Sequence, residues 1–169
     1  VFFLFEPSLV IRSEKLDGQP VRSGDCVLEV GGKARGILAA ERVALNFLQR
    51  MTGIASLTRQ FADKASPYGV QILDTRKTTP GLRMLEKYAV LCGGGVNHRM
   101  GLYDRVLIKD NHRAFWRNKA GGSLADAVRT ARVKCPGVPV EIEVETVDEM
   151  VEVIEAVPDW VLLDNMTEH

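Results

Sequence analysis

The sequence predicts an α/β protein in which parallel strands alternate with helices. Two observations carry that reading. After Pro67, short apolar runs at 70–74 ("VQILD"), 105–110 ("RVLIKD"), 139–145 ("PVEIEVE") and 160–164 ("WVLLD") alternate with segments of helical spacing. Each run ends in polar residues: Asp74 with Arg76 and Lys77, Lys109 with Asp110, then Glu145, then Asp164.

The elements follow in order. Residues 9–37 break short apolar stretches with "LDGQ", "RSGD" and "GGKARG", which predicts several short antiparallel strands. From Leu38 to Ala65 the apolar positions fit helical spacing and predict a long helix or a helix pair, with Gly53 as its weak point. The stretch 80–92 reads as a helix capped by Thr79 with Pro80 in its first turn. Residues 123–134 read as a helix capped by Ser123, and 147–157 as another. Three parts result: a β-rich remnant at 1–38, connecting helices at 39–66 and a β/α region at 67–169.

Strand–helix alternation implies a parallel sheet with right-handed crossovers. In a β/α barrel the C-terminal strand ends and the loops after them build the active site. A closed barrel takes roughly 250 residues and about 100 follow Pro67, so either the sheet is open or the chain is part of something longer.

Composition is that of a globular protein, with 46% hydrophobic and 26% charged residues. The opening "VFFLFEPSLV" meets Glu6 and Pro7 after five apolar residues, so neither a membrane span nor an ordinary signal peptide is expected, and a cytoplasmic location is. Cys26, Cys92 and Cys135 form no CxxC pair, which argues for small core residues and against a disulfide framework or zinc knuckle. Residues 141–169 hold ten acids and no lysine or arginine. For Glu149, Glu152 and Glu155 a solvated helix face accounts for this.

Charges at strand ends need a different account. Arg76, Lys77, His98, Arg99 and Lys109 all fall at or just past predicted strand ends. Crowded cations repel unless an anion binds among them, so a small polyanionic substrate is expected. Alternation puts Glu141, Glu143 and Glu145 on one strand face, with Asp164 on the next strand. Pairing with lysines opposite, Mg²⁺ bound through one or two carboxylates and substrate oxygens, or an edge strand facing water would each satisfy them. The glycines of "CGGGVNHRMG" (92–101) fit a close approach to ligand or a helix stop. Neither GxxxxGK[ST] nor GxGxxG occurs, no HExxH supports zinc, and sparse aromatic residues argue against a nucleic-acid platform.

The segments "ERVALNFLQRMTGIASLTRQF" (41–61), "ILDTRKTTPGLRMLEKYAVLCGGGVNHRMGLYDRVLIKDNH" (72–112), "EIEVE" (141–145) and "VLLDN" (161–165) closely resemble the quinolinate phosphoribosyltransferases, the carboxylating nicotinate-nucleotide pyrophosphorylases. The resemblance implies an incomplete β/α barrel preceded by part of a hammerhead-like α/β sandwich domain. It also implies a pentosyltransferase that moves phosphoribosyl from phosphoribosyl pyrophosphate to quinolinate, with loss of CO₂ and pyrophosphate, using Mg²⁺. Residues matching the quinolinate pocket are Arg76, His98, Arg99 and Lys109, with Arg42 reaching in from a second subunit of a homodimer. Lys77 would lie between the two substrates; Glu145 and Asp164 would face the ribose and the Mg²⁺-bound pyrophosphate. The family's chains are longer, and the Gly-rich 5′-phosphate segment is expected beyond His169. "RAFWRNKAGG" (113–122) is longer than the usual link after "KDNH", with its cations placed for a lid or subunit contact. A molybdenum-transport-associated paralogue of the same scaffold and a non-catalytic fragment are the alternatives.

Overall fold

A computed structural model of the chain describes residues 1–120 and 122–167. The polypeptide forms two compact units, Val1–His98 and Arg99–His169.

In the first unit, α1 (Phe2–Phe5) precedes the antiparallel pair β1 (Val10–Ser13) and β2 (Leu28–Gly31), in register from Val10↔Gly31 to Ser13↔Leu28. Two strands form where several were expected. The intervening residues carry Gly18, Pro20 and Gly24, and their backbone bonds locally: Leu16 N–H to Gln19 Oε1 (2.8 Å) and Arg22 N–H to Asp25 Oδ2 (3.1 Å). Side chains thereby take the donors that a strand ladder would have used.

Helix α2 (Ala34–Ala65) is continuous for 32 residues. Gly53 does not break it, because the roughly 1 kcal/mol glycine penalty is small beside packing on a neighbouring helix, here α3 (Arg83–Cys92). A 3₁₀ turn at Ser66–Tyr68, with Pro67 inside and Gly69 at φ 68° after it, ends the run.

The region 70–92 departs from expectation twice. "VQILD" is not a full strand: it makes a single parallel bridge, Leu73↔Val96, with Val96 N–H on the Ile72 carbonyl (2.8 Å). Helix α3 starts at Arg83, not at Pro80, and its N-cap is Leu82, which makes no side-chain cap. Thr79 instead closes a turn, its carbonyl accepting from Leu82 N–H (3.0 Å), and Gly81 at φ 78° keeps Pro80 out of the helix.

The second unit has the β/α alternation that the sequence predicts. Its elements are β3 (Val106–Ile108), α4 (Asp110–Ala120), α5 (Leu124–Lys134), β4 (Val140–Val144), α6 (Val147–Ile154) and β5 (Trp160–Leu163). The sheet is parallel in the order β3-β4-β5. Strand β4 is therefore central, which removes the edge-strand account of its glutamates. Val140, Ile142 and Val144 on one face of β4 are fully buried with Leu124 and Val128 of α5 and Val153 of α6. Ser123 caps α5 in a complete capping box with Asp126, as its position before an apolar run predicts.

The segment 113–122 is helical through Ala120, and Gly121 lies outside the described residues. Two of its cations meet acids of α6: Arg113 bonds Glu149 (2.9 Å), and Arg117 lies 3.4 Å from Glu149 and 3.6 Å from Glu152. Glu149 and Glu152 are thus paired rather than simply solvated. The cysteines are free, Cys26 is exposed, and Cys92 and Cys135 are only half-buried, so none is a core residue. No helix among the described residues is long and apolar enough to cross a membrane.

Candidate active site

The first unit holds Arg42, Arg76, Lys77 and His98. Arg42 stands exposed on α2. Arg76 and Lys77 sit in the turn after the Leu73 bridge, where Lys77 N–H donates to Thr75 Oγ1 (3.1 Å) and the Arg76 carbonyl accepts from Thr78 N–H (2.9 Å). Arg83 reaches back to the same carbonyl (3.4 Å) and to Thr78 Oγ1 (3.2 Å).

Two polar networks hold this turn. Arg50 of α2 bonds both Glu86 of α3 and the Thr79 hydroxyl, and Glu86 Oε2 accepts from Thr79 N–H (3.1 Å). Burial pushes the Glu86 carboxyl up, but the hydrogen bonds from Arg50 and Thr79 outweigh it and hold the group below its ordinary 4.5. The second network joins Lys87, 1% exposed, to Asp74, whose Oδ1 also accepts from His98 N–H (2.8 Å). His98 is thereby tied to the strand end that leads to Arg76.

The glycines before His98 serve packing and chain reversal. Gly94 at φ 86° donates to the Leu91 carbonyl (2.9 Å) and Gly95 to that of Val90 (3.0 Å), the two bonds of a Schellman stop for α3. A Cβ on Gly93 would come within 2.5 Å of the Ala55 carbonyl oxygen on α2. Of the two expected readings, the helix stop is the one present.

The second unit holds Arg99, Lys109, Glu145 and Asp164. Arg99 is 7% exposed and donates to the Arg105 carbonyl (3.2 Å). The other three leave the C-terminal ends of adjacent strands. Ile108 faces Ile142 in register and Val144 faces Leu163, so Lys109 comes beside Glu143, and Asp164 beside Glu145. Asp164 N–H continues the ladder to the Val144 carbonyl (2.9 Å).

Each glutamate on that face of β4 meets a cation. Glu141 pairs with Arg105 (3.0 Å), Glu143 with Lys109 (3.3 Å) and Glu145 with Arg113 (3.7 Å). The carboxylate side chains grade from 2% to 12% to 46% exposed toward the strand end. The lower rung is closed to water, and the upper end opens to solvent. Among the described residues the acidic stripe pairs with opposed cations, but with two arginines and one lysine where lysines were expected.

No group of three or more His, Cys, Asp or Glu among the described residues forms a metal cage. Asp164 accepts from the neutral amide of Asn165 (3.2 Å), leaving its charge for a cation from outside. One open carboxylate suits Mg²⁺, which is usually held by one or two carboxylates plus substrate phosphates.

Sequence reasoning missed Lys87, Arg50, Glu86 and Arg105, and it noted Asp74 only as a strand-end acid and Arg113 only as a cation of the 113–122 segment. The one signal present was the polar pair Glu86–Lys87 inside an otherwise apolar helix, and it looks like a solvated face until the helix is placed.

Comparison with known proteins identifies the family and the fold. Family models for the quinolinate phosphoribosyl transferase N-terminal and C-terminal domains match residues 1–52 and 54–169. A probable nicotinate-nucleotide pyrophosphorylase (carboxylating) of Bacillus subtilis is 44% identical over 165 residues, 97% of this chain and 55% of that protein. The Mycobacterium leprae nicotinate-nucleotide pyrophosphorylase (carboxylating) is 47% identical over 149 residues, 88% of this chain and 51% of that one. The crystal structure of NadC from Streptococcus pyogenes superposes with a TM-score of 0.90 at 44% identity, covering 99% of this chain and 58% of that one. The nicotinate-nucleotide pyrophosphorylase from Francisella tularensis gives 0.91 at 40%, covering 98% and 58%. The chain spans about half the length of the curated relatives it matches. With both domain models matched in order along it, the chain belongs to the quinolinate phosphoribosyltransferase family.

Proposed function

We propose that the protein transfers the phosphoribosyl group of phosphoribosyl pyrophosphate to quinolinate and releases CO₂ and pyrophosphate, giving nicotinate mononucleotide. The observation that carries this reading is the row of Lys109, Glu145 and Asp164 at three neighbouring parallel strand ends. It offers a cation for a carboxylate beside two anions for a sugar cation and a metal.

Quinolinate is a dicarboxylate, and the guanidinium groups of Arg76 and Arg99, with His98 and Lys109, are the groups that bind it and fix its ring nitrogen toward the ribose. Arg42 completes the pocket of a second copy in a homodimer. As the bond from ribose C1 to pyrophosphate breaks, positive charge grows on the sugar, and Glu145 stabilises it through space. Lys77, between the substrates, balances the departing pyrophosphate. Asp164 would hold Mg²⁺, which would supply charge neutralisation at the pyrophosphate oxygens. The ring nitrogen supplies the electron pair for the new bond to C1. The neighbouring carboxylate then leaves as CO₂, its electron pair stays on the ring carbon, and that carbon takes a proton. No residue is needed as nucleophile; the chain's work is geometry and charge.

The test is turnover by the full-length protein with quinolinate, phosphoribosyl pyrophosphate and Mg²⁺, followed as nicotinate mononucleotide formed. Nicotinate in place of quinolinate is expected to be a poor substrate, and equal use of both would end the dicarboxylate argument. Arg99→Ala should weaken quinolinate binding by about tenfold or more, the loss of one charge-assisted hydrogen bond. The relatives' names do not favour the molybdenum-transport paralogue; failure to turn over quinolinate would bring it back.

A further inference from the structure

Lys87 is the most deeply buried charged side chain among the described residues, and the proposed chemistry does not use it. Lysine is almost never fully buried unless paired, and a packed apolar pair usually fills such a space at less cost. What an apolar pair lacks is the ability to grip backbone. The Lys87 ammonium bonds Asp74 Oδ1 and reaches the His98 carbonyl (3.4 Å). The same Asp74 Oδ1 accepts from His98 N–H (2.8 Å). Asn97, with its amide in the orientation that its neighbours dictate, donates to the Lys87 carbonyl (2.9 Å) and to Asp74 Oδ2 (2.7 Å).

The consequence is that both backbone groups of His98 are held by one ion pair. Val96 N–H on the Ile72 carbonyl and Asp74 N–H on the Val96 carbonyl tie the segments 72–74 and 96–98 together just before it. Asp74 is two residues ahead of Arg76, so the same carboxylate also anchors the turn that carries Arg76 and Lys77.

We propose that Lys87 and Asp74 are positioning residues of the dicarboxylate pocket, acting by fixing the His98 backbone and the start of the Arg76–Lys77 turn. This rests on the reading above that Arg76 and His98 hold quinolinate. It predicts that the pair sets the quinolinate KM through His98 and Arg76, while its effect through Lys77, which balances charge only as pyrophosphate departs, falls on kcat and not on the phosphoribosyl pyrophosphate KM.

The experiment uses the full-length protein, its Asp74→Leu/Lys87→Met double variant, which leaves no unpaired buried charge, and two readouts. Steady-state kinetics should give a quinolinate KM raised by about tenfold or more, with the phosphoribosyl pyrophosphate KM within about twofold, as expected for a small misplacement of binding groups. Hydrogen exchange at the His98 amide should be slow in the wild type and at least about tenfold faster in the variant. A folded variant with unchanged quinolinate KM, or with both KM values raised alike, overturns the proposal. If the wild type does not turn over quinolinate, the functional reading fails by itself. The His98 amide still decides the positioning claim, and fast exchange in the wild type rejects it even if the variant does not fold.

Discussion

Arg105 reaches from the start of β3 to Glu141 in the central strand, 3.0 Å from its carboxylate, and its guanidinium lies 4.3 Å from the centre of the Trp160 ring on β5. One planar cation therefore spans all three strands at the end away from the open carboxylates. Glu141 is 2% exposed, so its charge depends on partners rather than on water.

Replacing Arg105 with methionine should cost about 3 kcal/mol or more in urea unfolding, because it withdraws the guanidinium from a buried carboxylate. Arg105→Lys keeps the charge but loses the flat stack on Trp160, and should cost about 1 kcal/mol. Equal stability of all three proteins would show that the span across the sheet contributes nothing.

Glu86 gives the fold an acid-sensitive point. Its folded carboxyl titrates below the ordinary 4.5, so it stabilises the protein above the unfolded value and loses that contribution as pH falls through the lowered one. Unfolding free energy measured across the acid limb should therefore drop below about pH 4.5. Glu86→Gln should flatten the drop, and a variant that kept the wild-type slope would exclude Glu86 as its source.

Tyr88 and Asp17 make the opposite case. The Asp17 carboxylate accepts from the Tyr88 hydroxyl at 2.7 Å, tying the segment between β1 and β2 to α3. That hydrogen bond and its charge, with Cys92 nearby, push the phenol up to about 12. The bond's contribution is present below the ordinary 10.0 and is lost as pH rises through the higher value. In a spectrophotometric titration one tyrosine should ionise late, and Asp17→Asn should bring it back toward 10.0. A late phenol that Asp17→Asn did not move would have to be another tyrosine.

The second unit was legible in the sequence because its strands and helices carry clear periods: β4 alternates buried Val140, Ile142 and Val144 with glutamates, and Ser123 announces α5. Lys109, Glu145 and Asp164 could be placed together because they sit where such strands end. Helix α3 was legible as a helix, but its start and its buried face were not, because its pattern is inverted. Met84, Tyr88 and Leu91 are exposed while Glu86 and Lys87 are buried, so the apolar face does not mark the interior. Lys87 and Asp74 are 13 residues apart and meet only once α3 is folded against the 72–74 segment. Spacing rules that reach three or four residues cannot see such a pair. Arg113 was read as part of a link for a related reason: only the folded unit shows it among Glu145, Glu149 and the Glu143 carbonyl.

Lys109 and Glu143 form the rung above Arg105 and Glu141, and there the balance between stability and binding reverses. The Lys109 side chain is 45% exposed, so its 3.3 Å pair with Glu143 is largely screened and should be worth no more than about 1 kcal/mol. An ammonium half in water can exchange or share its carboxylate with an arriving one, which the Arg105 guanidinium, 14% exposed and stacked on Trp160, cannot do. Lys109→Ala should therefore leave urea unfolding within about 1 kcal/mol of wild type. Under the proposed function it should also weaken quinolinate binding by about tenfold or more, measured by calorimetry on the full-length protein. A large loss of stability with unchanged quinolinate affinity would place Lys109 with Arg105 as a structural cation, and would move the boundary between scaffold and site one rung toward the strand end.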